Sequence, residues 1–436
     1  MPFRSNIFFH LAIAALLTAC GPLQPAFLTK STPHEKYGES LKKAGLENTG
    51  LANAWTAAAA RALNDTIEIP APFQETAYFP ADEPLALGYR IAARRGERIT
   101  VRADVEASAP VKVFIDVFQI DDDEFDHVVS AEDGSELEFV ADRDRIHIVR
   151  IQPELLQSAS ITVTIVTGAS MEFPVSGLGS KAIKSFFGDA RDGGRRRHEG
   201  VDVFAPRGTP LIAVANGVAR AANNRLGGKV VWLHDTDRGL NLYYAHLDSQ
   251  YVGALQMVKI GDTLGTVGNS GNAEHTPPHL HFGIYARGEG AVDPLPFLNT
   301  PLQDPAPITA DLEMLHYPAR VRSKNAELRL STDRKAASIV KLPQHTYVPI
   351  IAASGDRFRV RHGSLTGYVN AKDVVPIEKP LRSITLDTDQ RLMDAAQVDA
   401  APIKFLQKGE EVELLAESGS FRIVRTVDRE VGWIVG

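Results

Sequence analysis

The stretch PPHLHFGIYA, residues 277–286, alternates in character from one position to the next. Read as a strand, it puts His279, His281, Gly283 and Tyr285 on one face and Leu280, Phe282 and Ile284 on the other. The apolar face has the make-up of a core layer. The opposite face then carries two imidazoles side by side, the adjacency that a metal ligand and a neighbouring catalytic base require.

Working outward, His198, His234, His246, His275, His279 and His281 account for six of the chain's 13 histidines within a short central segment. Upstream of the HLH pair lies HEGVDVFAP (198–206), in which His198 and Asp202 share parity along an extended chain. Four residues at about 3.3 Å each would hold them roughly 13 Å apart. Two ligands of one zinc must each come within about 2.0–2.2 Å of it, so the backbone has to bend, and Gly200 is the residue best able to let it. The Gly193–Gly194 loop adds freedom. A His-x-x-x-Asp pair alone is ordinary surface sequence; its weight comes from the segment around it. From VVWLHD (230–235) to the HLH strand, apolar runs are joined by glycine turns, as in GTVGNSG (265–271), which predicts a central antiparallel β domain over 177–300.

The bulk properties limit the remaining choices. A chain of 436 residues with 44% hydrophobic side chains can bury about three ordinary cores. A net charge of −7 gives no basic footprint, so nucleic acid is not an expected partner. The single cysteine excludes an internal disulfide framework. It stands at Cys20, after an apolar run from Ile7 that is too short to span a bilayer. LTAC (17–20) resembles the bacterial lipobox, which implies a signal peptide over 1–19, diacylation of Cys20 and, with Gly21 following, anchoring to the outer membrane from the periplasmic side. Several acyl chains hold a protein firmly where one is marginal.

The flanks divide by pattern. Residues 20–66 read as a polar tether followed by a short helix from Thr49, and 67–176 as a β-sandwich of short alternating strands. The acidic run at 121–124 reads as a solvated loop, a calcium site being the lesser alternative. IIAASGDRFRVR (350–361) and LLAESGSFRIVR (414–425) repeat at a spacing of 64 residues, each followed by a glycine–aromatic pair, Gly367–Tyr368 and Gly432–Trp433. Two small β-barrels are expected, over 311–377 and 380–436, and the pattern resembles bacterial SH3-like domains, whose aromatics serve either as ligand grooves or as core.

Taken together, HEGVD (198–202), YAHL (244–247), GTVGNSG (265–271) and HLH (279–281) resemble the lysostaphin-type (LytM-like, M23-type) zinc metalloendopeptidases, over about a quarter of the chain and with every signature in family order. The resemblance implies that His198, Asp202 and His281 ligate one Zn²⁺. It also implies that His279 handles the proton of the attacking water and that His246, its partner, donates to the developing oxyanion. Two imidazoles and one carboxylate leave an open fourth position, the mark of a catalytic zinc site. His234, His275 and Glu199 match no role in this scheme, and Arg195, Arg196 and Arg197 read either as a surface for anionic polymer or as solvated loop. The implied substrate is the peptide cross-link of peptidoglycan, cut as by a D,D-endopeptidase, with a regulatory envelope protein as a possible partner. The alternatives are a non-catalytic LytM-like activator of wall amidases and an envelope scaffold.

Overall fold

A computed structural model describes residues 31–65, 67–121, 124–131, 134–298, 304–333 and 335–436. The signal stretch and Cys20 lie outside the described residues, as do Asp122 and Asp123 of the acidic run. Among the described residues no helix is long and apolar enough to cross a membrane. The protein is mostly β, with a central antiparallel β domain between a sandwich and the C-terminal sheets.

Part of the expected tether is a helix, Pro33–Lys43. Its start is a capping box: Glu35 N–H donates to Thr32 Oγ1 at 3.1 Å, Thr32 N–H donates to a Glu35 carboxylate oxygen at 2.8 Å, and Pro33 takes the first turn. The helix is docked, since His34 stacks on Trp55 with ring centroids 4.3 Å apart and Tyr37 lies 5.3 Å from Phe114. Trp55 belongs to the second helix, Gly50–Leu63, which starts at Thr49 and buries Ala52, Ala58, Ala59 and Ala62. That helix lies close against the strand Leu87–Ala93. A Cβ at Gly88 would sit 1.8 Å from the Ala62 carbonyl oxygen, so only glycine fits there.

Two sheets make the sandwich. One has the order Leu87–Ala93, Arg145–Pro153, Val113–Asp121, Glu124–Ser130. The other contains Phe73–Phe79, Ala159–Ala169, Glu97–Glu106 and Glu136–Val140. Alternate residues of both, among them Tyr89, Ile91, Ile99, Val101, Val149 and Ile161, form one core.

The second sheet does not stop at the sandwich edge. Phe73–Phe79 also pairs with Ile350–Ser354, Thr76 opposite Ala353 and Ala77 opposite Ala352, so the first C-terminal repeat extends the same sheet to nine strands. The first of the two expected C-terminal units is therefore continuous with the sandwich sheet. At the junction Arg359, 1% exposed, donates to Glu75 at 3.3 Å and pairs with Asp65, while Tyr368 donates its hydroxyl hydrogen to Glu75 at 2.6 Å. Tyr368 is thus an internal residue and not part of a groove. In both repeats the same hairpin register recurs, Val360 opposite Gly367 and Val424 opposite Gly432. The second repeat keeps its own six-stranded sheet, and the position matching Arg359 is Ile423.

The central sheet runs in the order Gln256–Val258, Gly217–Asn224, Gly228–Asp235, Leu240–Gln250, His279–Ala286, Val201–Phe204, Ile183–Ser185. One face buries Val201, Val203, Leu233, Leu242, Tyr244, Leu280, Phe282 and Ile284. The other face carries Trp232, Tyr243, Tyr285 and the histidines.

Removing one partner of a buried ion pair costs about 3–5 kcal/mol because the other charge is stranded. Arg359→Met is expected to destabilise the full chain by about that amount, and adding Glu75→Leu to recover most of it. Urea unfolding followed by circular dichroism checks both.

Candidate metal centre

Register builds the centre. Val201–Phe204 and His279–Ala286 are antiparallel neighbours, with Asp202 directly opposite His281 and Phe204 opposite His279. Residues directly opposite on one face are within side-chain reach, so Asp202 and His281 meet without any long side chain. His198 precedes the strand and is delivered by a bend at Gly200. The bend expected from the sequence is present, but Gly200 is required for clearance. A Cβ there would lie 2.4 Å from the Phe282 carbonyl oxygen and 2.8 Å from His281 Cε1. Backbone bonds fix His198 from both sides, its N–H donating to Asp189 O and its own carbonyl accepting from Gly188 N–H, each at 2.9 Å.

Three donor atoms converge. His198 Nε2 lies 3.0 Å from Asp202 Oδ1 and 2.9 Å from His281 Nδ1, and His281 Nδ1 lies 3.0 Å from the same Asp202 oxygen. His198 Nδ1 is 2.8 Å from the Phe186 carbonyl oxygen, which can only accept. A ring proton is therefore on Nδ1, and in the neutral form of the ring Nε2 presents a lone pair. It faces a carboxylate oxygen, also an acceptor, across 3.0 Å. His281 Nδ1 holds at most one hydrogen for its own two contacts and none for the third, between His198 and Asp202.

Such a triangle of acceptors is stabilised by a cation. Two imidazoles and a carboxylate are a donor set that suits zinc, and edges near 3 Å approach the roughly 3.3 Å expected for tetrahedral ligation at about 2.0 Å. His198, Asp202 and His281 are also the group of such side chains, among the described residues, whose ligand atoms all lie within 4.8 Å of one another.

Burial opposes charge here. It works to raise the Asp202 carboxyl, but a ring hydrogen turned to it by His198 or His281 outweighs burial and holds the group well below the ordinary carboxylate range. Burial also lowers His281 and pushes His246 down to about 4, so both rings are neutral near pH 7.

His246 and His279 flank the triangle, their ring centroids 5.0 Å apart, with His246 6.0 Å from His281. His246 has a left-handed backbone, φ 67°, unusual for a side chain of its size. Both rings donate Nδ1–H to carbonyl oxygens at 2.9 Å, His246 to Ser270 and His279 to Pro277. In its neutral form each ring is thereby left with a bare, proton-accepting Nε2.

The remaining sequence candidates lie elsewhere or act otherwise. His234 is exposed and 3.1 Å from Asn241 Oδ1. His275 is 91% exposed beside Glu274. Glu199 receives the Tyr285 hydroxyl at 3.4 Å, and Arg195, Arg196 and Arg197 are exposed. Sequence reasoning missed Arg191, Ser185 and Tyr243. Arg191 donates to Asp202 Oδ2 at 2.7 Å and to Ser185 Oγ at 2.6 Å. Tyr243, 6.0 Å from His281 between ring centroids, forms an aromatic shelf with Trp232 and Tyr285. Parity along the strand places Tyr285 on the face of His281, as expected from the sequence; nothing local marks Arg191.

Residues 196–294 match the sequence profile of Peptidase family M23. The chain carries an M23 peptidase domain. An L-Ala–D-Glu endopeptidase of Bacillus subtilis is 38% identical over 138 residues, covering 29% of this chain and 42% of that protein. The peptidoglycan DD-endopeptidase ShyC of Vibrio cholerae is 34% identical over 94 residues, 21% of each chain. The M23 domain thus spans less than half of either relative. Among solved structures, the catalytic domain of the antimicrobial peptidase lysostaphin from Staphylococcus simulans is 32% identical, with 26% of this chain and 89% of that one covered and a TM-score of 0.24.

The clearance at Gly200 gives a direct test of the M23 site. Gly200→Ala is expected to displace His281 and weaken zinc binding by about tenfold or more, the scale seen when the support of a ligand is lost. Chelator competition measures it, with circular dichroism to confirm that the sheet is retained.

Proposed function

We propose that this chain is a zinc-dependent endopeptidase that hydrolyses peptide cross-links of peptidoglycan, of the D,D-endopeptidase type. The observation that carries the reading is the convergence of His198, Asp202 and His281 with two histidines beside it whose Nδ1 hydrogens are taken by backbone carbonyls. Zinc bound there supplies a Lewis acid toward water and a peptide carbonyl, with two neutral imidazoles and one carboxylate leaving it a residual charge of about +1.

The chain's own groups supply the proton chemistry. With Nδ1–H committed to Pro277 O, His279 accepts the proton of the attacking water at Nε2. His246 is oriented in the same way by Ser270 O; the proton His279 takes from water, passed to His246 Nε2 across the adjoining rings, is donated to the oxyanion and then delivered to the amide nitrogen as the C–N bond breaks. Burial keeps both rings out of bulk water, so a proton taken up is passed on and not lost to solvent. Tyr243, Trp232 and Tyr285 offer a half-buried aromatic shelf along which a peptide can lie.

The relatives support the substrate class, since one is named a peptidoglycan DD-endopeptidase and another an L-Ala–D-Glu endopeptidase, names that point to different bonds. A lipid anchor at Cys20 would place the enzyme at the periplasmic face of the outer membrane, within reach of that polymer and of a regulatory envelope protein. The C-terminal repeats, as SH3-like units, would add contacts to the wall. The alternative is a non-catalytic activator or scaffold; it is disfavoured because His198, Asp202, His246, His279 and His281 are all in place.

The test is digestion of purified cross-linked sacculi, read as muropeptides by chromatography. Cross-linked dimers should fall, and a chelator should stop the reaction. His279→Ala should slow it by about 10²–10⁴-fold with zinc still bound, whereas His281→Ala should lose zinc and activity together. Dimer loss that persists in His281→Ala refutes the mechanism.

A further inference from the structure

Asp202 has two carboxylate oxygens with different partners. Oδ1 faces the two imidazoles, while Oδ2 accepts from Arg191 Nη2 at 2.7 Å. The carboxylate is nearly buried, 11% exposed, and the guanidinium only partly so, 35% exposed. We propose that Arg191 is a positioning residue for this site: it engages Oδ2 of Asp202 so that the carboxylate offers zinc a single oxygen, Oδ1, and a fourth position remains for water and substrate. The inference rests on the zinc reading above and goes beyond it, to what keeps the donor set at three.

The setting of Arg191 argues that the contact is built. The same Nη2 donates to Ser185 Oγ at 2.6 Å, and the Ser185 hydroxyl donates to Asp189 Oδ2 at 3.0 Å. Asp189 Oδ2 also accepts from Phe186 N–H at 2.8 Å, and Phe186 O accepts from the His198 ring. One hairpin, in which Ala190 lies opposite Arg197 and Arg191 opposite Arg196, therefore braces two of the three donors.

A free carboxylate presents both oxygens equally and can bind a metal through either or both. A guanidinium is permanently charged and directional. Held on Oδ2, it removes that oxygen from competition, and its positive charge drains donor strength from Asp202, so that zinc retains more of its own charge for catalysis. Outer groups of this kind commonly orient metal ligands.

The experiment uses the full chain loaded with Zn²⁺ or with Co²⁺, whose visible absorption is intense in four-coordinate sites and weak when further donors are added. The unaltered chain should bind about one metal ion and show intense cobalt absorption. Arg191→Gln, fully loaded, should lose much of that intensity as Oδ2 joins the metal, an effect a merely structural role would not produce. Unchanged intensity overturns the inference, whatever happens to affinity. If Arg191→Gln takes up no cobalt, Arg191→Lys decides: it returns a cation to Oδ2, so uptake with intense absorption supports the inference and no uptake overturns it. An unaltered chain that binds neither metal refutes the zinc reading itself, and this inference with it.

Discussion

The pairing of Asp202 with His281 across two antiparallel strands is the constraint on which the site depends. A slip of one residue would turn either side chain to the apolar face, so the packing of Val201, Val203, Leu280 and Phe282 specifies the register as firmly as it specifies the core. The site is thus held in place by a hydrophobic layer that touches none of its chemistry. His198 is added from outside the strand, and its entry is possible only because Gly200 leaves room for the His281 ring.

What that register creates is costly without a cation. A ring nitrogen of His198 and a carboxylate oxygen are pressed to 3.0 Å, and burial keeps water from separating them. Every ring nitrogen that faces away from the centre on His198, His246 and His279 is instead satisfied by a backbone carbonyl, which fixes the tautomers. Carbonyls cannot rotate away as side chains can, so proton positions are determined by the course of the main chain through 186, 270 and 277.

The flanking architecture is more integrated than a string of modules. Buried Arg359 and Glu75 join strands nearly three hundred residues apart in sequence, and the first repeat shares a sheet with the sandwich. A buried ion pair contributes little net stability, but it penalises every arrangement in which one charge is left alone. It therefore specifies which strand edge the repeat docks on. Ile423 in the second repeat imposes no such demand.

The sequence by itself determined the elements whose signals are local. Alternation in HLHFGIYA specified the two faces of that strand, Thr49 the start of the second helix, and the repeated GDRFRVR and GSFRIVR runs the two C-terminal hairpins. The five candidate residues were named through the resemblance to a known family, the histidines among them also standing out by their crowding into one segment. Read more closely, TPHE at 32–35 would have shown the first helix as well. Only the tertiary structure decided that the three donors form a triangle, that Nδ1 of His246 and His279 is taken by carbonyls, that Arg191 meets Asp202, and that Arg359 reaches Glu75. Each of these joins positions on different elements, and periodicity describes one element at a time; the distance between two faces is set by register and packing, which no single stretch contains.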